Sequence, residues 1–357
     1  MQAICGDLTG LVKVYDCDDQ KIVATVACEQ RRENGVTAMC FLNSASAEED
    51  LETDIVVVAR RDGRIDAVDL DRENVVPGAE QRVFAKEAKN PLADFDWTHD
   101  GVSALSNLRI VASSNDGALS VLKADLDAMR SADAVDSVWQ VLHEAPALTF
   151  GASVTCVATR HDAIALAGTE NILTVYDATR LDQAASKKKR SGETWRAKNV
   201  RNDELDLRQK IAPADICFAG QGTDKVVEVT RTGEVRLYDV RQQKRPVQRS
   251  PKRMEHALTR VVADKEAHFA FVADNRRLIH KVDLRQNAKV VATYKGSAGA
   301  SQCLTLDSDE VCVASVGLDR HLRMWQLENA KTPTHSVFMR QQLGAVLLRD
   351  GIGALLD

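Results

Sequence analysis

One short unit returns seven times along the chain: a tight turn, then a strand of alternating character that usually ends in Asp. Its copies are TGLVKVYD (9–16), DGRIDAVD (62–69), DGALSVLK (116–123), ENILTVYD (170–177), TGEVRLYD (232–239), RRLIHKVD (276–283) and DRHLRMWQ (319–326). Their last residues stand 53, 54, 54, 62, 44 and 43 positions apart. Asp-Gly and Thr-Gly suit two-residue hairpin turns, which need a positive φ that Gly adopts without steric penalty. In the strand that follows, alternate side chains face the core, so Val12 and Val14 are inward candidates in the first copy, as are Val235 and Leu237 in the fifth. Another apolar run lies before the turn, as in IVVVARR (55–61), RIVASSN (109–115), AIALAGT (163–169) and VCVASVG (311–317). A third run lies before that one, as in GVTAMCF (35–41), SVTCVAT (153–159), ALTRVVA (257–263) and SQCLTLD (301–307). Three strands and an outer fourth make a four-stranded unit.

Four-stranded units with periods of about 40–45 residues indicate a β-propeller of WD-repeat type. The expected fold is all-β: one seven-bladed ring over residues 1–357. The chain begins almost at once with a second-strand pattern, QAICGD, so the first blade lacks its innermost strand. After the seventh copy come HSVFMR (335–340), suited to an outer strand, and LGAVLLR (343–349), which matches the innermost pattern. Pairing of residues 343–349 with residues 2–6 would close the ring through its two ends and leave no open sheet edge there.

A chain of 357 residues buries roughly three quarters of its unfolded surface and needs no covalent staples. Cys5, Cys17, Cys28, Cys40, Cys156, Cys217, Cys303 and Cys312 form no C-x-x-C pair and no zinc spacing with His. They read as buried small hydrophobes in a reducing compartment. The N-terminus lacks the basic and apolar regions of a signal peptide, and no run of 18 apolar residues exists, so no membrane contact is expected. HExxH, GxSxG and EF-hand patterns are absent, and GSAGAS (296–301) lacks the Lys and spacing of a phosphate loop. The eight histidines show no ligand spacing; His321, inside a repeat strand, is read as structural. The recurrent Asp16, Asp69, Asp177, Asp239 and Asp283 are read as strand caps that bond nearby backbone N–H groups. Trp97, Trp139, Trp195 and Trp325 are read as packing residues. No catalytic residue, metal or cofactor is expected.

Charge is unevenly spread. Residues 180–260 hold 20 Lys and Arg against 11 Asp and Glu, although the whole chain carries a net charge of −5. The longest repeat spacing contains a charged insertion and connection, residues 178–211, between the fourth and fifth blades. Within it, WRAKNV is expected as the outer strand of the fourth blade and RNDELDLRQKI as the crossing to the fifth. WRAKNVRNDELDLRQKI (195–211) carries five basic and three acidic side chains and neither Gly nor Pro. Lys198, Asn199, Arg201, Asn202, Asp203, Asp206 and Arg208 offer paired donors and acceptors for a partner protein or an rRNA edge. The competing reading is intramolecular: Arg201 and Arg208 pair with Asp203 and Asp206 and fix one blade against the next.

Blade geometry puts the third-to-fourth-strand loops on one face. A basic surface is expected there from Lys187, Lys188, Lys189 and Arg190 on the fourth blade, Arg241, Lys244 and Arg245 on the fifth, and Arg285 and Lys289 on the sixth. DCDDQK (16–21) and ASAEEDLETD (45–54) make the same face acidic over the first two blades. Such a basic patch attracts phosphate backbone without reading sequence. Aromatic content of 4% argues against a stacking platform, so RNA contact should be electrostatic and salt-sensitive. KKKR (187–190) also reads as a nuclear import signal.

WRAKNVRNDELDLR resembles a signature of the nucleolar WD-repeat proteins that assist large (60S) ribosomal subunit assembly. GSAGASQCLTLDSDEVCVASVGLDRHLRMWQLEN (296–329) resembles their last blades, and GDLTGLVKVYD their first. The resemblance implies a nucleolar, non-enzymatic scaffold on pre-60S particles. Its partners would be other assembly factors and rRNA, with an AAA-type ATPase for release; on its own it would be a monomer. Family members often end in a Lys-rich tail, whereas this sequence stops at GIGALLD (351–357), so that tail is absent or was not included. NPLADFDWTHDGVSAL (90–105) and LDAMRSADAVDS (126–137) read as insertions outside the resemblance. The rival function is a cytosolic WD-repeat adaptor, such as a ubiquitin-ligase substrate receptor.

Overall fold

A computed structural model describes residues 1–26, 30–43, 52–62, 64–70, 74–76, 101–105, 109–113, 119–124, 139–145, 154–181, 192–202, 204–251, 253–328 and 332–349. Each repeat copy folds as the third strand of a four-stranded antiparallel sheet. In the first sheet β1 (Gln2–Asp7), β2 (Val12–Asp16) and β3 (Lys21–Val26) are joined on the inner side by the last strand, β28 (Leu343–Arg349). The second sheet is β4 (Val36–Asn43), β5 (Glu52–Arg60), β6 (Ile65–Asp69) and β7 (Asn74–Val76). The third is β8 (Gly101–Leu105), β9 (Arg109–Ser113), β10 (Leu119–Ala124) and β11 (Trp139–Ala145). The fourth is β12 (Val154–Arg160), β13 (Ala163–Gly168), β14 (Asn171–Asp177) and β15 (Glu193–Arg196). The fifth is β16 (Pro213–Ala219), β17 (Lys225–Thr230), β18 (Val235–Asp239) and β19 (Gln248–Arg249). The sixth is β20 (Leu258–Ala263), β21 (Phe269–Asp274), β22 (Ile279–Asp283) and β23 (Lys289–Tyr294). The seventh is β24 (Ser301–Leu306), β25 (Cys312–Gly317), β26 (His321–Gln326) and β27 (His335–Phe338).

The fold is an all-β propeller. The innermost strands β28, β4, β8, β12, β16, β20 and β24 neighbour one another in that order, and β24 neighbours β28. β28 pairs with β1 in antiparallel register from Gln2↔Arg349 to Gly6↔Ala345. The core lies between sheets, where the alternating residues of one blade meet those of the next. Val12, Val14, Val235 and Leu237 are all buried. Between the sixth and seventh sheets, the rings of Tyr294 and Trp325 meet edge to face at 6.4 Å. Their polar ends are satisfied locally: Tyr294 Oη donates to Leu327 O at 3.0 Å and Trp325 Nε1 to Lys295 O at 3.0 Å.

Two expectations about strand placement are corrected. The stretch 90–105, read as an insertion, ends in β8, the innermost strand of the third sheet; its residues 90–100, and the whole stretch 126–137, lie outside the described residues. WRAKNV is only partly strand. β15 stops at Arg196; Ala197 still donates to Leu173 O at 2.9 Å, but Lys198 donates to Lys244 O of the fifth sheet's outer loop at 2.6 Å. The chain therefore leaves one sheet for the next two residues after Arg196.

The Asp caps bond as the strand-end pattern suggests. Asp16, Asp177, Asp239 and Asp283 each accept through Oδ1 from the N–H two residues on, at 2.8–2.9 Å. Another regularity ties five of the second-to-third-strand turns to the connection entering their own sheet, whereas the amide of Glu170 in the fourth donates to Ile211 O in the connection to the fifth at 3.0 Å. The amides of Leu8, Arg61, Arg231, Asn275 and Leu318 donate to the carbonyls of Gln342, Gly35, Ala212, Ala257 and Ala300.

A buried polar position runs through the repeat and escapes a reading of apolar alternation. It follows the apolar residues Val12, Ile65, Leu173, Val235 and Leu322, and holds Lys13, Asp66, Thr174, Arg236 and Arg323, with the half-buried His280 after Ile279. Lys13 bonds Asp7 at 3.0 Å, Asp66 bonds Arg60, Arg236 bonds Glu228 at 2.9 Å and Glu234 at 2.8 Å, and Arg323 bonds Asp319. Charges this deep are tolerated only when paired. Several also grip a connection: Lys13 Nζ donates to Met339 O at 3.1 Å, and Arg60 Nη1 to Gly10 O and Asn34 O at 3.0 Å.

Gly233, at the turn before β18, combines a φ of +83° with a carbonyl, Met254 O, only 2.7 Å from where a Cβ would sit. Gly233→Ala is expected to destabilise the protein by about 1–3 kcal/mol, the usual cost of such strain, measured by urea unfolding.

Candidate docking site

The segment 195–211 starts from a firm anchor. Trp195 of β15 is 7% exposed and meets Tyr238 of β18 edge to face at 5.9 Å, across the boundary between the fourth and fifth sheets. Val200 and Ile211 are buried at either limb of the crossing that follows. Between them the chain loops outward and is braced by amide side chains. Asn199 Nδ2 donates to Gln209 O at 2.8 Å, and Gln209 Nε2 donates to Arg201 O at 3.0 Å. Nearer the tip, Asn202 Nδ2 donates to Asp206 O at 3.1 Å and to Asp206 Oδ1 at 2.9 Å. Asp206 takes a φ of 58°, a left-handed conformation that Asp tolerates better than most residues.

The bracing leaves two leucines in solvent. Leu205 is 79% and Leu207 59% exposed, flanking Asp206. Two neighbouring exposed leucines on a braced loop are the feature that a search for charged and polar side chains missed. Their signal in the sequence is ELDL, in which leucine alternates with acid where no sheet exists to bury it.

The seven candidate partner-binding residues divide by role. Asn199 and Asn202 spend their amides inside the loop. Asp206 accepts from Asn202, and Arg208 pairs with Glu170 at 3.1 Å, on the β13–β14 turn. The intramolecular reading of Arg208 is therefore right in kind but wrong in partner. Lys198 and Arg201 are exposed, and among the described residues their side chains make no ion pair. Asp203 lies outside the described residues.

Of the basic set, Arg241, Lys244 and Arg245 lie in the loop between β18 and β19, and all three are exposed. Arg241 pairs with Asp224 at 3.1 Å, while Arg245 Nε donates to Asn199 O at 3.2 Å. With the bond from Lys198 to Lys244, this loop is drawn against the base of the docking segment. The structure thus brings together two groups, the candidate docking residues and part of the basic set, that the sequence analysis treats apart. Arg285 is held by Asp283 at 3.1 Å and lies over the Phe269 ring, and Lys289 is the first residue of β23 rather than a loop residue. Lys187, Lys188, Lys189 and Arg190 lie outside the described residues, as do residues 45–51 of the acidic stretch 45–54, whose last three residues open β5.

Beneath the segment sits a buried charge cluster. Glu234, 1% exposed, receives Arg236 at 2.8 Å, Arg249 at 2.6 Å and Arg253 at 2.9 Å. Burial pushes its carboxyl up, but the bonds from Arg249, Arg236 and Arg253 outweigh this and hold its pKa at about 2. Glu228 goes the other way: burial raises its carboxyl, only partly opposed by Arg236. Arg249 also donates to Gln209 Oε1 at 3.1 Å, so the cluster reaches the bracing amides of the segment.

Among the described residues no group of His, Cys, Asp and Glu is placed to hold a metal ion, and no helix is long and apolar enough to cross a membrane. Burial raises the thiol of Cys17 to about 11 and that of Cys40 to about 12, far from a reactive thiolate.

No family model matches the chain. WD repeat-containing protein 74 of Bos taurus is 34% identical over 186 residues, 52% of this chain and 45% of that protein. The human protein of the same name is 33% identical over the same shares. Ribosome biogenesis protein NSA1 of Yarrowia lipolytica is 29% identical over 237 residues, 58% of this chain and 55% of that protein. The chain is a homologue of WD repeat-containing protein 74 and of NSA1. This WD-repeat homologue spans about half the length of the curated relatives it matches. Among solved structures, the computationally designed protein Ika8 superposes with a TM-score of 0.59 at 13% identity, covering 98% of this chain and 88% of Ika8. That likeness speaks for the fold alone.

Proposed function

We propose that this protein is a non-enzymatic scaffold in large ribosomal subunit biogenesis, working in the nucleolus on pre-60S particles. The observation that carries this reading is the homology to NSA1, a protein named for ribosome biogenesis, and to WD repeat-containing protein 74. A ring of seven blades, closed by pairing of β28 with β1, is a rigid frame suited to presenting irregular segments at fixed positions. The docking element is residues 195–211. Leu205 and Leu207 supply apolar anchors, and Lys198, Asn199, Arg201, Asn202, Asp203, Asp206 and Arg208 supply the polar surround, the division usual at protein interfaces. Arg241, Lys244 and Arg245, with Lys187, Lys188, Lys189 and Arg190, add a salt-sensitive contact to rRNA phosphates. Release by an AAA-type ATPase follows from the family resemblance.

Affinity purification of the full chain in moderate salt, followed by RNA sequencing and mass spectrometry, tests the class. Large-subunit precursor RNA with assembly factors is the expected recovery. Ubiquitin-ligase subunits without rRNA would assign the protein to the adaptor class instead.

A further inference from the structure

A cleft of about 350 Å³ opens beside the docking segment, between it and the β13–β14 turn. Its wall is mixed: Ile172 and Ile211 give it an apolar side, and Arg196 and Arg208, with Glu170 and Thr174, line the polar remainder. Its volume is near the small end of ligand pockets, about 300–1,000 Å³, enough for one or two side chains.

The two arginines are differently held. Arg196 bonds Glu193 through Nη2, but its Nε, though buried, has no hydrogen-bond partner. A buried donor left unmet is unfavourable, and an acceptor entering the cleft would recover that cost. Arg208 is held by Glu170 in a pair whose side chains are 66% and 51% exposed. Pairs this exposed are weak, so a competing carboxylate can draw this guanidinium away. The surrounding segment carries five basic against three acidic side chains, which favours an anionic visitor. The apolar side at Ile172 and Ile211 favours protein over nucleic acid, because it gives an aliphatic side chain a place to rest that a phosphate backbone cannot use.

We propose that this cleft receives an aliphatic side chain and an adjacent carboxylate from a short acidic peptide segment of a partner protein. Arg196 Nε–H donates to the carboxylate, Arg208 closes over it, and the aliphatic group rests on the apolar side. This deepens the reading of 195–211 as a docking element by naming what the partner offers there.

The test is isothermal titration of the purified full chain with a dodecapeptide carrying Leu-Glu in a Gly-Ser background. Leu-Gln and Gly-Glu versions of the same peptide are the comparison. The Leu-Glu peptide is expected to bind at least about tenfold tighter than either, the effect of one charged hydrogen bond or one buried aliphatic group. Arg196→Gln should abolish the preference for Glu over Gln. Arg208→Ala, at an exposed site, should reduce that preference while leaving thermal unfolding unchanged, so the test stands even if the first variant folds poorly. No binding, equal binding of the three peptides, or an unchanged preference in Arg208→Ala overturns the proposal. Displacement of the peptide by oligouridine also overturns it and assigns the cleft to nucleic acid. None of these measurements involves ribosomal particles, so their failure is distinct from failure of the purification experiment.

Discussion

Glu234→Ala will destabilise the fold by about 3–5 kcal/mol, the cost of breaking a buried ion pair by removing one partner. The carboxylate is 1% exposed and accepts from three arginines. Its loss strands the Arg236 guanidinium, itself deep in the fifth sheet, with Glu228 as its remaining partner. Differential scanning calorimetry should show the transition lowered by several degrees, since about 2–4 °C per kcal/mol applies to chains of 150–250 residues and less to longer ones. Arg253→Ala is the control: its side chain is 58% exposed, so its loss should cost at most about 1 kcal/mol. Equal losses in the two variants would sink the buried-cluster account.

The same carboxylate sets a pH dependence. Its folded pKa of about 2 lies below the ordinary 4.5, so its contribution is fully present above pH 4.5 and is lost as pH falls from 4.5 toward 2. At 1.36 kcal/mol per pKa unit the contribution is about 3 kcal/mol. Glu228 has the opposite sign, because a raised carboxyl pKa favours the folded state as pH falls and costs stability at neutral pH. The informative quantity is therefore the difference between wild type and Glu234→Ala, measured by urea unfolding at pH 6 and pH 3. That difference should shrink on acidification, and an unchanged one would mean that the three arginines do not hold this carboxyl down.

The second large effect concerns function. Leu205→Asp with Leu207→Asp should leave unfolding within about 0.5 kcal/mol of wild type, as expected for exposed positions. The same pair should lower recovery of pre-60S particles at least about tenfold. Fully burying a leucine side chain is worth about 1.5–3 kcal/mol, and every 1.4 kcal/mol is tenfold in affinity. The braces in the segment make the two readouts separable. Asn199, Asn202 and Gln209 hold the loop through backbone carbonyls and Asp206, not through the leucines' side chains. Undiminished particle recovery by a folded double variant would remove residues 195–211 from the docking surface.

Repeat grammar made much of the fold legible. Turn residues and strand alternation are local, and both act within a few residues. The Asp caps belong to the same local chemistry, as does the β28 pattern that pairs with β1. The same local view failed where a partner lies far along the chain. Arg208 finds Glu170, 38 positions away, rather than the nearer Asp206, because the turn of the fourth sheet lies under the segment once the blades have assembled. The expectation of one outer strand over WRAKNV holds only as far as Arg196. The strand ends when the amide of Lys198 is taken by a carbonyl of the next sheet. The polar row Lys13, Asp66, Thr174, Arg236 and Arg323 was visible as letters, but its burial was not, because alternation counts apolar faces and ignores what pairs across them.

By itself, then, the sequence determined the propeller class, the turn chemistry and the places where the regular pattern is interrupted, because each depends on neighbours a few residues apart. Only the tertiary structure decided which charges are buried together at Glu234, which loops meet at Lys198 and Lys244, and that Leu205 and Leu207 end in solvent. The Glu234 cluster depends on how the strands of the fifth sheet bring residues up to 19 positions apart to one place, and the meeting of Lys198 with Lys244 depends on where separate sheets come to rest against one another.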